Sequence, residues 1–289
     1  MQVTVIGLGL IGGSLSAALR ERGMVRRIVG VDASPTHCEQ AMELGLVDAT
    51  APLEGALKGA DLVVLAIPVN AIIELLPRVL SLADPTSTVT DMGSTKELIC
   101  RAVEGHPTRR RYVPSHPMSG TENSGPRAFV PGLFERKTAV ICEKELSDPA
   151  HVERVESMYR TLKMRLVHMS AKEHDLHAAY VSHLSHVISF VLANTVLEKE
   201  EDVNTIFDLA GGGFESTVRL AKSSPTMWTP IFEQNRAHVL NALDSYLDHL
   251  RAFRDSLKGP STDENFRLIE NANRIRRALD SMATRGTKT

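Results

Sequence analysis

The first half of the chain alternates short runs of apolar, β-branched residues with longer segments whose apolar residues recur at helical spacing. The apolar runs predict strands at Val3–Ile6, Ile28–Val31, Leu62–Ile67, Thr88–Thr90, Tyr112–Val113, Thr138–Ile141 and Arg165–His168. The segments between them predict helices at Gly12–Arg22, Thr36–Leu44, Ala71–Leu82, Thr95–Glu104 and Asp148–Leu162. Apolar strands that alternate with helices are typical of a parallel sheet covered on both faces. We therefore expect an α/β domain with a doubly wound parallel sheet over residues 1–170.

After about Ser170 the pattern changes to long helical segments without a further strand. Helices are predicted at Lys172–Lys199, Trp228–Leu257 and Asp263–Met282. We expect an all-helical substrate and dimerisation domain over residues 171–289. Amphipathic segments such as Val239–Phe253 need more apolar partners than one small domain supplies, which favours a homodimer.

Composition excludes several classes of protein. The 289 residues carry 33 Lys+Arg and 35 Asp+Glu, and a net charge of −2 gives no general attraction to nucleic acid or to an anionic membrane. Charges and prolines interrupt the apolar stretch from Leu62 to Leu82, so no membrane span is predicted. The 3 cysteines are widely spaced, which argues against a disulfide framework and favours a cytoplasmic location.

A glycine-rich motif follows the first predicted strand and opens the first helix. Gly7-Leu8-Gly9-Leu10-Ile11-Gly12 matches GxGxxG, the fingerprint of Rossmann-type dinucleotide-binding domains. Gly7 permits a tight turn, Gly9 lets a pyrophosphate approach the backbone, and Gly12 allows close packing of helix and strand. The alternative is a coincidental glycine turn, but the position between strand and helix favours a nucleotide site.

Asp32 lies twenty residues after Gly12, at the end of the second predicted strand. An acid at this place bonds the ribose hydroxyls of NAD and repels the additional phosphate of NADP. No arginine follows to hold such a phosphate, so we expect NAD as the cofactor.

Other polar or special residues also lie just past predicted strands, at the edge where ligands bind in such sheets. They are Pro68, Asp91, Ser94 and His116. A histidine there can accept a proton from a substrate hydroxyl while a hydride leaves the same carbon. From position alone, a histidine hydrogen-bonded in a loop explains His116 equally well.

The helical half contains His174, His177, His183 and His186. On one continuous α-helix, His174 and His183 are nine residues apart and point to opposite sides, so a cage of four histidines requires a broken helix. No metal-binding motif supports one, and no metal is expected. His183 and His186 share a face that can turn toward the cleft.

Further along, the turn Gly211–Gly213 precedes Arg219 and the single tryptophan, Trp228. An arginine after a glycine turn can hold a carboxylate with two hydrogen bonds. Taken alone, Arg219 is explained better as an ordinary surface residue.

Together these residues resemble the prephenate/arogenate dehydrogenases of tyrosine biosynthesis. The family's DxxSxK element appears as Asp91-Met92-Gly93-Ser94-Thr95-Lys96, and its HPM-G-TE element as His116-Pro117-Met118-Ser119-Gly120-Thr121-Glu122. Its SHLPH element reads Ser182-His183-Leu184-Ser185-His186, followed by the glycine turn, Arg219 and Trp228. Ser185 replaces the usual proline, which should change the kink or stiffness of the helix around the two histidines. We expect neither the ACT domain nor the chorismate mutase domain that some members carry.

The resemblance implies an NAD-dependent oxidative decarboxylation of prephenate to 4-hydroxyphenylpyruvate. His116 would accept the hydroxyl proton, Ser94 would orient that hydroxyl, and Arg219 would pair with the ring carboxylate. The other implied substrate contacts are His186, Ser182, His183, Thr121, Glu122, Gly212 and Trp228. The implied cofactor contacts are Gly7, Leu8, Gly9, Leu10, Ile11, Gly12, Asp32, Pro68 and Ser94.

Alternative functions remain open from the sequence. Arogenate, which carries an amino group where prephenate has a keto group, is the alternative substrate, since no residue of the sequence is assigned to read that group; we expect prephenate. A β-hydroxyacid dehydrogenase would use a catalytic lysine on the helical domain, for which Lys222 is the nearby candidate. A non-catalytic NAD-sensing module would not need His116, Ser94 and Arg219 together.

Overall fold

The computed structural model describes residues 1–286, with a parallel sheet of six strands at its centre. The strand order is β3-β2-β1-β4-β5-β6, the order of a doubly wound dinucleotide-binding sheet. The strands are β1 (Gln2–Ile6), β2 (Arg27–Val31), β3 (Ala49–Thr50), β4 (Leu62–Leu65), β5 (Thr88–Asp91) and β6 (Tyr112–Val113). The predicted α/β fold is therefore confirmed.

The register of this sheet aligns the carboxyl ends of its central strands. Ile6 pairs with Val31 on one side and with Leu65 on the other, and Leu65 pairs with Asp91. Residues that follow these four ends consequently share one edge, where ligands bind in open α/β sheets.

A second sheet of three strands contradicts part of the strand prediction. It contains β7 (Ser115–Pro117), β8 (Thr138–Cys142) and β9 (Arg165–Met169), in that order. The β7–β8 pair is antiparallel and the β8–β9 pair is parallel. The expectation that the last two strands complete the main sheet is wrong. Pro114 separates β6 from β7, and the amide N–H of Cys142 in β8 donates to the carbonyl of Pro114 at 2.9 Å, so the chain leaves the main sheet at this residue.

Helices connect the strands, and after β9 the described chain contains helices without further strands. They are α1 (Leu10–Glu21), α2 (Pro35–Glu43), α3 (Leu53–Leu57), α4 (Val69–Leu82), α5 (Glu97–Arg101), α6 (Pro149–Thr161), α7 (Ala171–Ala178), α8 (Leu184–Val203), α9 (Gly212–Val218), α10 (Pro225–Gln234), α11 (Arg236–Ser256), α12 (Asp263–Ala272) and α13 (Ile275–Gly286). Ser34 begins α2 by accepting the amide hydrogen of His37 at 3.3 Å. Ser170 and Glu173 begin α7 with a reciprocal capping box.

Two predicted helices are in fact broken. The expected helix Trp228–Leu257 ends at Gln234 and resumes at Arg236, and the expected helix Asp263–Met282 is interrupted after Ala272. At the first break, the buried Asn235 adopts a non-helical backbone conformation and turns its amide toward neighbouring segments. The spacing of apolar residues does not predict this kind of break, because apolar residues recur at the same helical period on both sides of it.

Apolar side chains cover both faces of the main sheet. Val3 and Val5 of β1 pack in one buried cluster with α1 and α6, whereas Val63 and Leu65 of β4 pack in another with α4. This alternation follows from the two-residue period of a strand.

Two compact units follow from the contacts within the chain. The first, Met1–Arg236, contains both sheets and the helices up to α10. The second, Ala237–Thr289, consists of α11 to α13 in its described part. The division at residue 170 stays a prediction about domain organisation.

A continuous helix runs from Ala171 to Val203 and includes a π-helical turn at Ala179–His183. Among the described residues it alone is long and apolar enough to cross a membrane, with a mean hydropathy of 1.3 in an 18-residue window of which 22% is buried. It contains the predicted helix Lys172–Lys199, whereas the prediction of no membrane span rests on the interrupted stretch from Leu62 to Leu82. Its first half carries the buried polar residues His174, Asp175 and His183, which pack within the first unit.

Candidate active site

The glycine loop has the shape that a dinucleotide requires. Gly7 has φ +95°, and a Cβ there would lie 2.4 Å from the carbonyl oxygen of Ala66. A Cβ on Gly12 would lie 1.9 Å from the carbonyl oxygen of Gly7, whereas a Cβ on Gly9 would meet no atom within 4 Å. Close packing thus requires glycine at positions 7 and 12, whereas Gly9 leaves open space at the start of α1. Backbone N–H groups at this helix end fit a pyrophosphate.

The Asp32 carboxylate is fixed beside this loop. One oxygen accepts the amide hydrogen of Leu8 at 2.8 Å, and the other accepts that of Ser34 at 2.9 Å. The ring Nδ1 of His37 lies 3.3 Å from the second oxygen. The carboxylate is therefore preorganised at the end of β2, where the ribose of a dinucleotide binds.

A buried ion pair underlies the end of β5. Asp91 and Lys96 are both fully buried and pair through Oδ2 and Nζ. Asp91 also accepts hydrogen bonds from the Tyr112 hydroxyl at 2.6 Å and from the amide of Gly93 at 2.8 Å. Ser115 donates its hydroxyl to the carbonyl of Asp91 at 2.8 Å. A buried charge pair with these additional partners rigidifies the loop that carries Ser94.

His116 follows the end of β6, as its place in the sequence predicts, and lies within the short strand β7. Its Nδ1 is 2.9 Å from Nε2 of His174, and Nδ1 of His174 is 2.7 Å from the Asp175 carboxylate. The carboxylate also accepts the amide hydrogens of Lys96 at 2.7 Å and Glu97 at 2.9 Å. The loop after β5 and helix α7 are thereby joined to His116 by one hydrogen-bonded chain.

This chain selects the tautomer of His116. Burial alone would raise the pKa of Asp175, but the hydrogen bonds from His174 and from two backbone amides lower it, so the carboxylate is ionised and only accepts. Nδ1 of His174 must then carry a hydrogen. When His174 is neutral, its Nε2 accepts from Nδ1–H of His116, and Nε2 of His116 is left with a lone pair. That nitrogen can accept a proton.

The surroundings also keep His116 neutral. Burial lowers its pKa well below 6.5, and positive charge on His174 when that ring is protonated, on Lys96, and on His183 when that ring is protonated lowers it further. A neutral imidazole is the form that a general base requires.

The π-helical turn alters the predicted arrangement of the histidines. Asn235 donates from Nδ2 to the carbonyl of Asp175 at 2.7 Å and reaches Nδ1 of His183 at 3.1 Å. His183 is 1% exposed, and burial lowers its pKa to about 4. His174 and His183 would point to opposite sides of a continuous α-helix, but the π-helical turn between them changes the rotation per residue. His183 is held inside the unit, and its predicted contact with a substrate stays a prediction.

His186 and Trp228 form a stacked pair next to Arg219. Their ring centroids are 3.6 Å apart with an interplanar angle of 26°. Nδ1 of His186 bonds the carbonyl of Ser182 at 3.0 Å. Burial lowers the pKa of His186; the bond to the Ser182 carbonyl raises it, and the positive charge of Arg219 lowers it. The guanidinium of Arg219 lies 3.6 Å from the Glu122 carboxylate.

The remaining predicted residues are less tightly placed. Ser94 lies partly buried in the loop after β5, and among the described residues its hydroxyl forms no hydrogen bond with His116. Pro68 precedes α4 at the carboxyl end of β4, and Gly212 is exposed at the start of α9. Thr121 accepts the amide hydrogen of Asn123 at 3.2 Å. Among the described residues, none of these four forms a hydrogen bond with the ring of His116.

The structure also adds residues that the sequence analysis did not assign. Asp175, Lys96 and Asn235 were not proposed as site residues, and His174 was considered only as a metal ligand. The adjacent His-Asp pair at the start of a predicted helix was an available signal. Within the described part of the chain, no group of three or more His, Cys, Asp or Glu side chains could hold a metal ion.

Comparison with known families agrees with this geometry. The sequence model "Prephenate dehydrogenase, nucleotide-binding domain" matches residues 15–168, and "Prephenate dehydrogenase, dimerization domain" matches residues 170–271. The chain belongs to the prephenate dehydrogenase family. The predicted resemblance and the oxidoreductase class are thereby confirmed.

Individual members of the prephenate dehydrogenase family are similar along nearly the whole chain. Prephenate dehydrogenase of Bacillus subtilis (strain 168) is 29% identical over 280 residues, which are 96% of this chain and 76% of that protein. The crystal structure of prephenate dehydrogenase from A. aeolicus, in complex with hydroxyphenyl propionate and NAD+, has a TM-score of 0.87 at 27% identity and covers 98% of both chains. Synechocystis arogenate dehydrogenase has a TM-score of 0.78 at 29% identity, over 96% of this chain and 100% of that one.

Proposed function

We propose that this protein catalyses the NAD-dependent oxidative decarboxylation of prephenate to 4-hydroxyphenylpyruvate, a step of tyrosine biosynthesis. The observation that carries the proposal is the chain from Asp175 through His174 to His116, which leaves Nε2 of His116 as a proton acceptor. The relatives named above, including one solved with NAD+, support the same reaction class.

In this reaction His116 accepts the proton of the hydroxyl at C4 of the substrate ring through Nε2. His174 and Asp175 hold the ring of His116 in the accepting tautomer and stabilise its positive charge after proton transfer. Bound NAD would accept the hydride from C4. The electrons of the breaking bond to CO2 then complete the aromatic ring, and the C4 oxygen takes the proton back from His116 to form the phenol. Ser94, at the same sheet edge, would donate to or accept from the same hydroxyl.

For cofactor choice, we infer a preference for NAD over NADP. Two backbone amides hold the Asp32 carboxylate where the ribose of the cofactor would bind. The additional phosphate of NADP would lie beside this carboxylate and be repelled by it.

Arg219 is proposed to bind the ring carboxylate by exchanging its partner. Without substrate it pairs with Glu122, and both side chains are partly exposed, at 55% and 31%. A planar carboxylate can accept two hydrogen bonds from the guanidinium and displace this looser contact.

Replacing Arg219 with glutamine should therefore raise the KM for the substrate about 10- to 100-fold, corresponding to about 1.5–3 kcal/mol for a charged hydrogen bond. The value of kcat should change much less, since proton transfer does not involve this residue. Steady-state kinetics give both quantities. Arg127→Gln is the control, because Arg127 is an exposed arginine paired with Glu43 at 2.9 Å. An unchanged KM would place the carboxylate elsewhere.

We also infer a homodimer in the cytoplasm. The match to a dimerization domain supports the dimer, as do exposed apolar residues on the long helix, among them Val181, Val191 and Leu197. Such a patch is typical of a surface that a second copy covers. Light scattering should give twice the mass of one chain, and a monomer mass would contradict this inference. The three cysteines are free thiols, in keeping with a reducing compartment.

Arogenate is the second candidate substrate, because Synechocystis arogenate dehydrogenase is among the similar structures. A β-hydroxyacid dehydrogenase is less well supported, since Lys222 is exposed and does not lie beside His116 in any described contact.

The test of the proposed function follows NADH absorbance after the protein is mixed with NAD and either prephenate or arogenate, and repeats this with NADP. The ratio of the two kcat/KM values identifies the substrate, and we expect prephenate with NAD to give the highest. Faster turnover of arogenate would assign the second candidate. No turnover of either compound by a protein that binds NAD would contradict both.

A further inference from the structure

Two consecutive residues at the end of α10 hold hydrogen bonds to four residues in three separate segments. The side-chain oxygen of Gln234 accepts from the Thr95 hydroxyl, and its nitrogen donates to the side-chain oxygen of Asn70. Asn235 donates to the carbonyl of Asp175 and to the ring of His183, as described above. We refer to Gln234 and Asn235 together as the α10 bracket.

The partners of Gln234 lie on the cofactor side. Asn70 is the second residue of α4, at the carboxyl end of β4, and it follows Pro68 by two residues. Thr95 is fully buried and directly follows Ser94 in the loop after β5. The partners of Asn235 lie on the other side, on the helix that carries the His174–Asp175 pair. The α10 bracket thus ties the two loops at the sheet edge to the helix that positions His116.

Glutamine suits this place because its amide offers an acceptor and a donor together. The buried Thr95 hydroxyl donates to the side-chain oxygen of Gln234, and the side-chain oxygen of Asn70 accepts from the side-chain nitrogen of Gln234. Loss of one partner would leave the buried Thr95 hydroxyl unsatisfied, so the loop would shift to find another. A displacement of about 1 Å at a reacting centre can reduce a rate about 100-fold.

We propose that Gln234 is a positioning residue that sets the Ser94 loop and the start of α4 relative to the His116–His174–Asp175 chain, and so aligns the hydride donor with its acceptor. This inference rests on the proposed function. It assigns Gln234 no contact with substrate or cofactor.

The primary test compares Gln234→Leu, which removes both hydrogen bonds, with Gln234→Glu. The glutamate still accepts from Thr95, and rotation of the Asn70 amide supplies a donor for its second oxygen. We expect Gln234→Leu to lower kcat about 10- to 100-fold, with the dissociation constant for NADH changed less than about 3-fold. Gln234→Glu should retain kcat within about 3-fold. Glu233→Leu is the control, as an exposed neighbour on the same helix.

A merely stabilising role would give a different pattern. Both Gln234 variants would then lose activity only near their melting temperature, and kcat at 25 °C would match the control. That result, or equal loss in Gln234→Leu and Gln234→Glu, would overturn the proposal. Thr95→Val removes one of the same hydrogen bonds from the other end and should lower kcat in the same direction. In the double variant with Gln234→Leu, Thr95→Val should lower kcat by less than about a further 2-fold.

Hydrogen exchange separates a failure of this proposal from a failure of the proposed function. If the wild-type protein turns over neither prephenate nor arogenate, the proposed function fails, but the α10 bracket can still be tested. Gln234→Leu should increase exchange about 10-fold in residues 92–96 and 69–72, while Glu233→Leu should not. Unchanged exchange in both segments would overturn the role of the α10 bracket whatever the substrate.

Discussion

Replacing His116 with asparagine should lower kcat about 10²- to 10⁴-fold and leave the affinity for NAD nearly unchanged. Asparagine can form a hydrogen bond at this position but cannot accept the hydroxyl proton at neutral pH. His116 lies in β7 and bonds His174, with no described hydrogen bond to the glycine loop or to Asp32, so the cofactor site should keep its shape. Steady-state kinetics and titration of NADH fluorescence measure the two effects separately.

The pH profile identifies His116 as the base more specifically than the rate alone. Burial and nearby positive charges lower its pKa well below 6.5, so the neutral base predominates at pH 7. The wild-type kcat/KM should therefore be flat above pH 6.5 and fall only at lower pH, as His116 gains a proton. The residual activity of His116→Asn should lack this acid limb. His168→Asn, an exposed histidine on β9 of the same sheet, should behave as the wild type. Wild-type turnover in His116→Asn would remove His116 from the mechanism.

The main sheet could be predicted because its strands are apolar runs bounded by turns. Val3–Ile6 and Ile28–Val31 lie almost as expected, since a strand buried on both faces reads as a mostly apolar run. The short strand β7 could not be predicted, because Ser115–Pro117 has no apolar period and contains a proline. It forms a strand only through its partner β8, which is distant in sequence.

The nucleotide site could be predicted for a different reason. Its residues follow one another in a single strand–turn–helix unit, so their spacing along the chain determines their spacing in the structure. Gly7, Gly12 and Asp32 accordingly lie as the motif requires.

The surroundings of His116 depend on long-range contacts that spacing does not report. His174 meets His116 across 58 residues, and Asn235 meets His183 across 52. The π-helical turn at Ala179–His183 also changes which side chains share a face of the helix. The turn contains no glycine or proline from which it could be predicted. The replacement of the family proline by Ser185 was the nearest signal, and it lies two residues past that turn.

Asp175→Asn is expected to lower kcat about 10- to 1000-fold by changing the tautomer of His116. The Asp175 carboxylate accepts three hydrogens, from His174 and from the amides of Lys96 and Glu97. An asparagine has one oxygen, so its NH2 group must face at least one of these donors. If it faces His174, the hydrogen of His174 moves to Nε2, His116 becomes protonated on its own Nε2, and the base is lost. If it faces Glu97, a buried amide is left unsatisfied, at a cost of about 1–3 kcal/mol of stability.

Asp48→Asn controls for the loss of stability, because Asp48 also accepts a backbone amide, that of Ile28 at 2.7 Å, but its side chain is exposed and makes no described contact with the His116 chain. Thermal unfolding and kcat are measured for both variants. Asp48→Asn should lose stability with little change in kcat, whereas Asp175→Asn should lose kcat even far below its melting temperature. Full activity in a folded Asp175→Asn protein would show that His116 adopts the accepting tautomer without this chain. The base would then be oriented by other groups, and Asp175 would serve only to join α7 to the loop after β5.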